Sequence, residues 1–112
     1  MAEQNAGQGQ NQGQAPQQNQ IQVKISDEIL KGAYSNQAII AHNREEFQIN
    51  FMNLDLTSPM GMVVAKILLS PGHMKRMISA MQDNLKRYES SFGSVREADA
   101  PAGSDKIGFR AE

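Results

Sequence analysis

The chain of 112 residues has no cysteine, no tryptophan and only four Phe and two Tyr. The lack of cysteine excludes disulfides, thiolate zinc sites and cysteine nucleophiles. No apolar run exceeds four residues, so the sequence predicts no membrane-spanning helix. The first residues lack the basic and apolar regions of a signal peptide. Together these absences lead us to expect a cytoplasmic protein.

The chain also lacks an excess of charge of one sign. It contains 11 Lys and Arg and 12 Asp and Glu, which gives a net charge of -1. Proteins that bind duplex nucleic acid usually carry a basic domain or patch. Only two His are present, and neither belongs to a metal-ligand pattern. Nucleotide-binding glycine motifs and nucleophile elbows are absent too. We therefore expect no enzymatic activity, no metal and no cofactor.

The uncharged polar residues are concentrated at one end of the chain. Of the first 20 residues, 11 are Gln or Asn, whereas residues 21–93 contain 33 hydrophobic residues among 73. A segment with so little apolar surface cannot offset its ordering entropy. The composition predicts a disordered head over residues 1–20, a single domain over 21–93 and a flexible tail over 94–112.

Within residues 21–93, hydrophobic periodicity predicts four short strands. Their ranges are 21–25, 34–43, 46–56 and 62–69. The third strand shifts its apolar phase by one residue between Phe51 and Met52, which indicates a bulge or a strand covered on both faces. Ser26 can cap one helical turn after the first strand.

One long amphipathic helix is predicted to follow the strands. Ser70 is a favourable N-cap, and Pro71 suits the first helical position. Gly93 suits a left-handed C-cap. Apolar side chains recur between them with the helical period, at Met74, Met77, Ile78, Met81, Leu85 and Tyr88.

These elements predict an α+β fold, an antiparallel meander of about four strands with one long C-terminal amphipathic helix packed on one face. The opposite sheet face would then lack a cover. A domain of this size is marginally stable alone, so we expect a homo-oligomer, most simply a dimer. The predicted interface consists of Met52, Leu54, Leu56, Val64 and Leu68. The favoured function is a non-enzymatic oligomeric interaction or adaptor protein that binds a protein partner.

The start of the helix offers a second function. Free N–H groups at a helix N-terminus, with cationic side chains nearby, can hold phosphate. The alternative function is therefore single-stranded nucleic-acid binding by a basic helix and sheet surface, although an ordinary solvated helix face explains the same residues. Lys66 would contribute from the sheet. The candidate contacts on the helix are Ser70, His73, Lys75, Arg76, Lys86 and Arg87.

Several short motifs together resemble a known family. They are Tyr34-Ser35-Asn36, Glu46-Phe47 with Phe51, Ser70-Pro71-x-His73-x-Lys75-Arg76, Asn84, Tyr88-Glu89 and Phe92-Gly93. Over residues 21–93 the chain resembles the small prokaryotic proteins called domain of unknown function number three-four-six-seven. It departs from the family pattern in carrying Asn50 where an Asp is expected, and in a shorter loop at 57–61. The resemblance implies a small soluble α+β protein and no established activity.

Overall fold

A computed structural model describes residues 20–111 of the chain. These residues divide into two compact units on either side of the junction between Lys31 and Gly32, and each unit is described by itself. The predicted disordered head lies outside the described residues except for Gln20. The predicted boundaries at residues 21, 93 and 94 stay predictions.

Within the described part of the first unit, residues 20–31, there is one helical turn and no strand. Helix α1, Asp27–Leu30, is capped by Ser26, whose Oγ accepts a hydrogen bond from the Ile29 N–H at 3.2 Å. The predicted strand at residues 21–25 is wrong, because this segment is irregular and pairs with no strand in the described chain. Ile21 and Val23 remain 83% and 85% exposed. Alternation alone does not make a strand when no partner supplies the ladder of hydrogen bonds.

The second unit contains the sheet and the long helix. Strands β1 (Gln37–His42), β2 (Phe47–Leu54) and β3 (Gly61–Leu69) form an antiparallel sheet in the order β1-β2-β3. Helix α2 follows as Pro71–Phe92, and one 3-10 turn occupies Ser104–Lys106. The predicted α+β class and the meander are confirmed, with three strands in place of about four.

The predicted bulge is present between β2 and β3. Phe51 pairs with Ala65 and Met52 with Val63, so Val64 has no counterpart on β2. The extra residue therefore belongs to β3. Alternation along β2 places Ile49 on one face and Met52 on the other, and both are buried, at 4% and 2% exposure.

A side-chain amide extends the pairing of β1 with β2 beyond the end of β1. Asn36 donates from Nδ2 to the Leu54 carbonyl at 2.9 Å and accepts from the Leu54 N–H at Oδ1 at 2.8 Å. The amide therefore occupies the place of a peptide group. The Ser35 hydroxyl adds a hydrogen bond to the Met52 carbonyl at 3.0 Å.

The helix joins the sheet through a small apolar core. Its buried members are Ile49, Leu69 and Met74, against which Phe47, Phe51 and Met77 pack. Met74 and Met77 belong to the first two turns of α2. The sheet face that α2 covers is therefore the one that carries Ile49, and the cover begins at the N-terminal end of the helix.

Candidate functional site

The start of α2 is built as its sequence predicts. Ser70 accepts a hydrogen bond at Oγ from the His73 N–H at 3.2 Å, and its carbonyl accepts from the Met74 N–H at 2.9 Å. Pro71 fills the first turn without losing a needed donor. The predicted N-cap is confirmed, and the Ser70 hydroxyl serves the helix itself.

His73 and Arg76 contact each other on the exposed first turns of the helix. Arg76 Nη2 lies 3.2 Å from His73 Nδ1, so a neutral imidazole accepts from the guanidinium at this nitrogen. Both side chains are exposed. The pair is thus open to water and lies in no desolvated cleft.

The four basic side chains of α2 form two rows along the helix. Lys75 and Lys86 are eleven residues apart, as are Arg76 and Arg87, which is about three turns and about 16 Å. All four are exposed. The helical period places Asp83 between the two rows, so an acidic group interrupts the basic surface.

Three of the five predicted interface residues lie on one face of the sheet. Pleat and pairing place Met52, Leu54 and Leu68 on the same sheet face. Val64 is the bulged residue, and Leu56 lies in the turn after β2. Met52 is buried within the chain, whereas Leu56 and Leu68 are 75% and 55% exposed. Lys66 is on this face too, opposite Asn50.

A groove follows the same face, between the β2–β3 loop and the C-terminal tail. Its volume is about 770 Å³, and its lining includes Met52, Leu54, Met60 and Ile107. Lys106 and Arg110 of the tail also line it. Sequence reasoning missed this groove because it predicted a flexible tail. The apolar residues of the tail were the one feature of the sequence that indicated a packed surface there.

The β2–β3 loop is held by an aspartate. Asp55 Oδ1 accepts from the Thr57 hydroxyl at 2.7 Å and from the Thr57 N–H at 2.8 Å, and Oδ2 accepts from the Ser58 hydroxyl at 3.2 Å. The hydrogen bond from the Thr57 hydroxyl, followed by those from the Thr57 N–H and the Ser58 hydroxyl, lowers the pKa of Asp55 below its ordinary value. This carboxylate stabilises a turn.

An uncovered apolar surface lies on α2 itself. We call it the helix stripe, defined as Ile78, Met81, Leu85, Tyr88 and Phe92. Their exposed fractions are 44%, 59%, 51%, 51% and 76%. The rings of Tyr88 and Phe92 lie 5.0 Å apart. The stripe continues the line of Met74, which is buried on the sheet, so the same apolar face is packed at its start and open along the rest.

Comparison with known proteins assigns the family. The family described as "Protein of unknown function (DUF3467)" matches residues 1–97, and the chain belongs to it. Neither the curated proteins nor the solved structures contain a match to the chain. Among residues 20–111, no group of three ligating side chains could hold a metal ion. No helix in this part is long and apolar enough to cross a membrane.

Proposed function

We propose that this protein is a non-enzymatic interaction module that self-associates and holds a protein partner in the cytoplasm. The observation that carries the proposal is the helix stripe, whose five large apolar side chains stay between 44% and 76% exposed. Contiguous apolar surface of this kind marks sites where proteins associate. The purpose of the small domain is then to present this surface.

The stability of α2 supports the same function. The helix has 22 residues, but its packing on the sheet comes from Met74 and Met77 in its first two turns. Most helical stability in proteins comes from tertiary packing of the apolar face, and isolated helices are marginal in water. Burial of the helix stripe against another chain supplies the packing that the remaining turns need.

Sedimentation equilibrium of the full chain from about 1 to 200 μM tests self-association, a range matched to micromolar dimers. We expect the apparent mass to rise from that of one 12.3 kDa chain toward a multiple of it. A mass that stays monomeric across this range would overturn the proposal.

Single-stranded nucleic-acid binding is the second candidate, favoured by the two exposed basic rows on α2. Backbone phosphates attract such rows most strongly at low salt. The interruption by Asp83 and the net charge of -1 weigh against it. Fluorescence anisotropy with labelled oligonucleotides at low and moderate salt tests the candidate, and a flat titration at low salt rejects it.

A further inference from the structure

The helix stripe has the spacing of a coiled-coil seam. From Met74 through the helix stripe, the apolar residues are separated by 4, 3, 4, 3 and 4 residues, which is the alternation that keeps a seam facing another helix. The 18 residues from Met74 to Phe92 make about five turns, so both ends lie on one line. In heptad terms, the d positions are Met74, Met81 and Tyr88, and the a positions are Ile78, Leu85 and Phe92.

The residues that flank this seam differ between its two sides. Lys75, Gln82 and Glu89 occupy the e positions. The g positions on the other side carry Met77, Asn84 and Ser91. Charged flanking residues set the orientation of paired helices, and here both charges fall on the e side, one at each end.

We propose that two copies of this chain pair through α2 in antiparallel orientation, about a two-fold axis close to Gln82 and Asp83. The proposal deepens the proposed function, because it rests on self-association and names the surface that mediates it. The a position of one helix then packs against the d position of the other. The layers are Ile78 with Tyr88, Leu85 with Met81 and Phe92 with Met74, each formed twice.

Charge complementarity selects the antiparallel orientation. It places Lys75 of one copy beside Glu89 of the second copy, and the two-fold axis repeats this pair. Glu89 uses Oε2 to accept from the Val95 N–H at 2.9 Å, which leaves Oε1 for the lysine. A parallel pair would instead set Asn84 beside Glu89 and Met77 beside Gln82, with no attraction between opposite charges. Antiparallel helix dipoles add a favourable term.

The sheet face under α2 is only partly covered within one copy. Ile40, Ile49 and Ile67 are neighbours across the three strands on this face. Ile49 is buried, whereas Ile40 and Ile67 remain 54% and 42% exposed. Antiparallel pairing brings Phe92 of the second copy to the end of α2 that carries Met74, which packs on this face. The pairing therefore adds an apolar side chain next to a face that the first copy's own helix covers only in part.

Carbodiimide crosslinking of the wild-type chain tests the orientation directly, because this reagent joins an amine and a carboxylate in contact. Lys75 and Glu89 are 14 residues apart, about 21 Å along one helix, so a Lys75–Glu89 crosslink can form only between copies. We expect that crosslink in the dimer band by mass spectrometry. Its absence from a dimer that crosslinks elsewhere would overturn the antiparallel pairing.

Two sets of variants test the surface and its charges. Leu85→Glu places a charge in the seam, and we expect at least about a hundredfold weaker dimerisation because the layer occurs twice. Ser90→Glu, on the exposed rear of the helix, is the matched control and should leave dimerisation unchanged. Lys75→Glu or Glu89→Lys should each weaken it about threefold or more, and the double variant should restore it. Amide NMR shifts of β1, β2 and β3 that stay unchanged in each variant exclude unfolding of the sheet.

The outcomes separate this proposal from the proposed function. If the wild-type chain and Leu85→Glu dimerise equally well, the α2 interface is refuted, and self-association itself stands. A wild-type chain that stays monomeric refutes both. Crosslinking of Phe92→Cys to itself by a short bismaleimide would indicate parallel helices, since antiparallel pairing separates the two sites by about 27 Å.

Discussion

The amide of Asn36 offers the sharpest test of the fold. Asn36→Ala removes both hydrogen bonds to Leu54, at 2.9 and 2.8 Å. A hydrogen bond of this kind contributes about 1 kcal/mol, and a part-buried backbone group left without a partner costs more. We therefore expect a loss of about 2 kcal/mol in the free energy of unfolding. That is a large share of the roughly 4 to 12 kcal/mol usual for a unit of this size.

Urea unfolding followed by circular dichroism measures this loss. With a slope of about 1 to 2 kcal/mol per M, the midpoint should fall by about 1 to 2 M at an unchanged slope. Asn36→Asp keeps the shape but loses the donor and sets a carboxylate against the Leu54 carbonyl, so at neutral pH it should cost at least as much. Ser35→Ala is the milder comparison, since it removes one hydroxyl. A loss below about 0.5 kcal/mol for Asn36→Ala would refute the role of the amide as a substitute peptide group.

Three further predictions follow from the core, the loop and the helix end. Ile49→Ala should cost about 2 to 5 kcal/mol in urea unfolding, whereas Ile40→Ala, its half-exposed neighbour on β1, should cost about 1 kcal/mol or less; equal losses would contradict the assigned core. Because the pKa of Asp55 is lowered in the folded state, its contribution is complete above the ordinary aspartate pKa and is lost as pH falls through the folded value. An NMR titration should give a midpoint below that of an ordinary aspartate, and Asp55→Asn should remove this part of the acid dependence. Gly93 has φ of +98°, and a Cβ added there would meet no atom within 4 Å. Gly93→Ala should therefore lower the free energy of unfolding by about 1 kcal/mol through backbone strain alone, and thermal unfolding should detect the loss.

The two ends of α2 were predictable because their signals are local. Ser70 and Pro71 identify the start, and the hydrogen bond from the His73 N–H spans three residues. At the other end the Gly93 N–H donates to the Glu89 carbonyl, and the positive φ fits a glycine, although ψ of 169° differs from the left-handed C-cap that the sequence predicts. A helix terminus needs only the residues within one turn, so these residues settle it.

The strands were only partly predictable, because a strand needs a partner. The alternation at residues 21–25 resembles that of a half-buried strand, yet Ile21 and Val23 stay exposed. The phase shift between Phe51 and Met52 was visible in the sequence and was consistent with a bulge or with a strand covered on both faces. The structure has a bulge whose unpaired residue, Val64, lies on β3, and its position depends on the register of the two strands.

The candidate site was likewise predictable from the sequence only in part. The apolar period of α2 and its basic residues could be read from the sequence, and the helix carries both. The exposure of the helix stripe could not be read, because the same period is typical of a helix that lies along a sheet over its whole length. The place of Asn36 was equally hidden, since its amide meets a backbone group 18 residues away.

The sequence by itself determined the α+β class, the order of the three strands and the long helix, and the limits of α2. These features depend on hydrophobic periods and on hydrogen bonds that close within a few residues. Only the tertiary structure decided which part of α2 is buried, which residue lacks a partner at the bulge, and which side chain completes the end of the sheet. Those outcomes depend on which distant surfaces meet, and a helix that packs through its first two turns leaves the rest of its apolar face exposed.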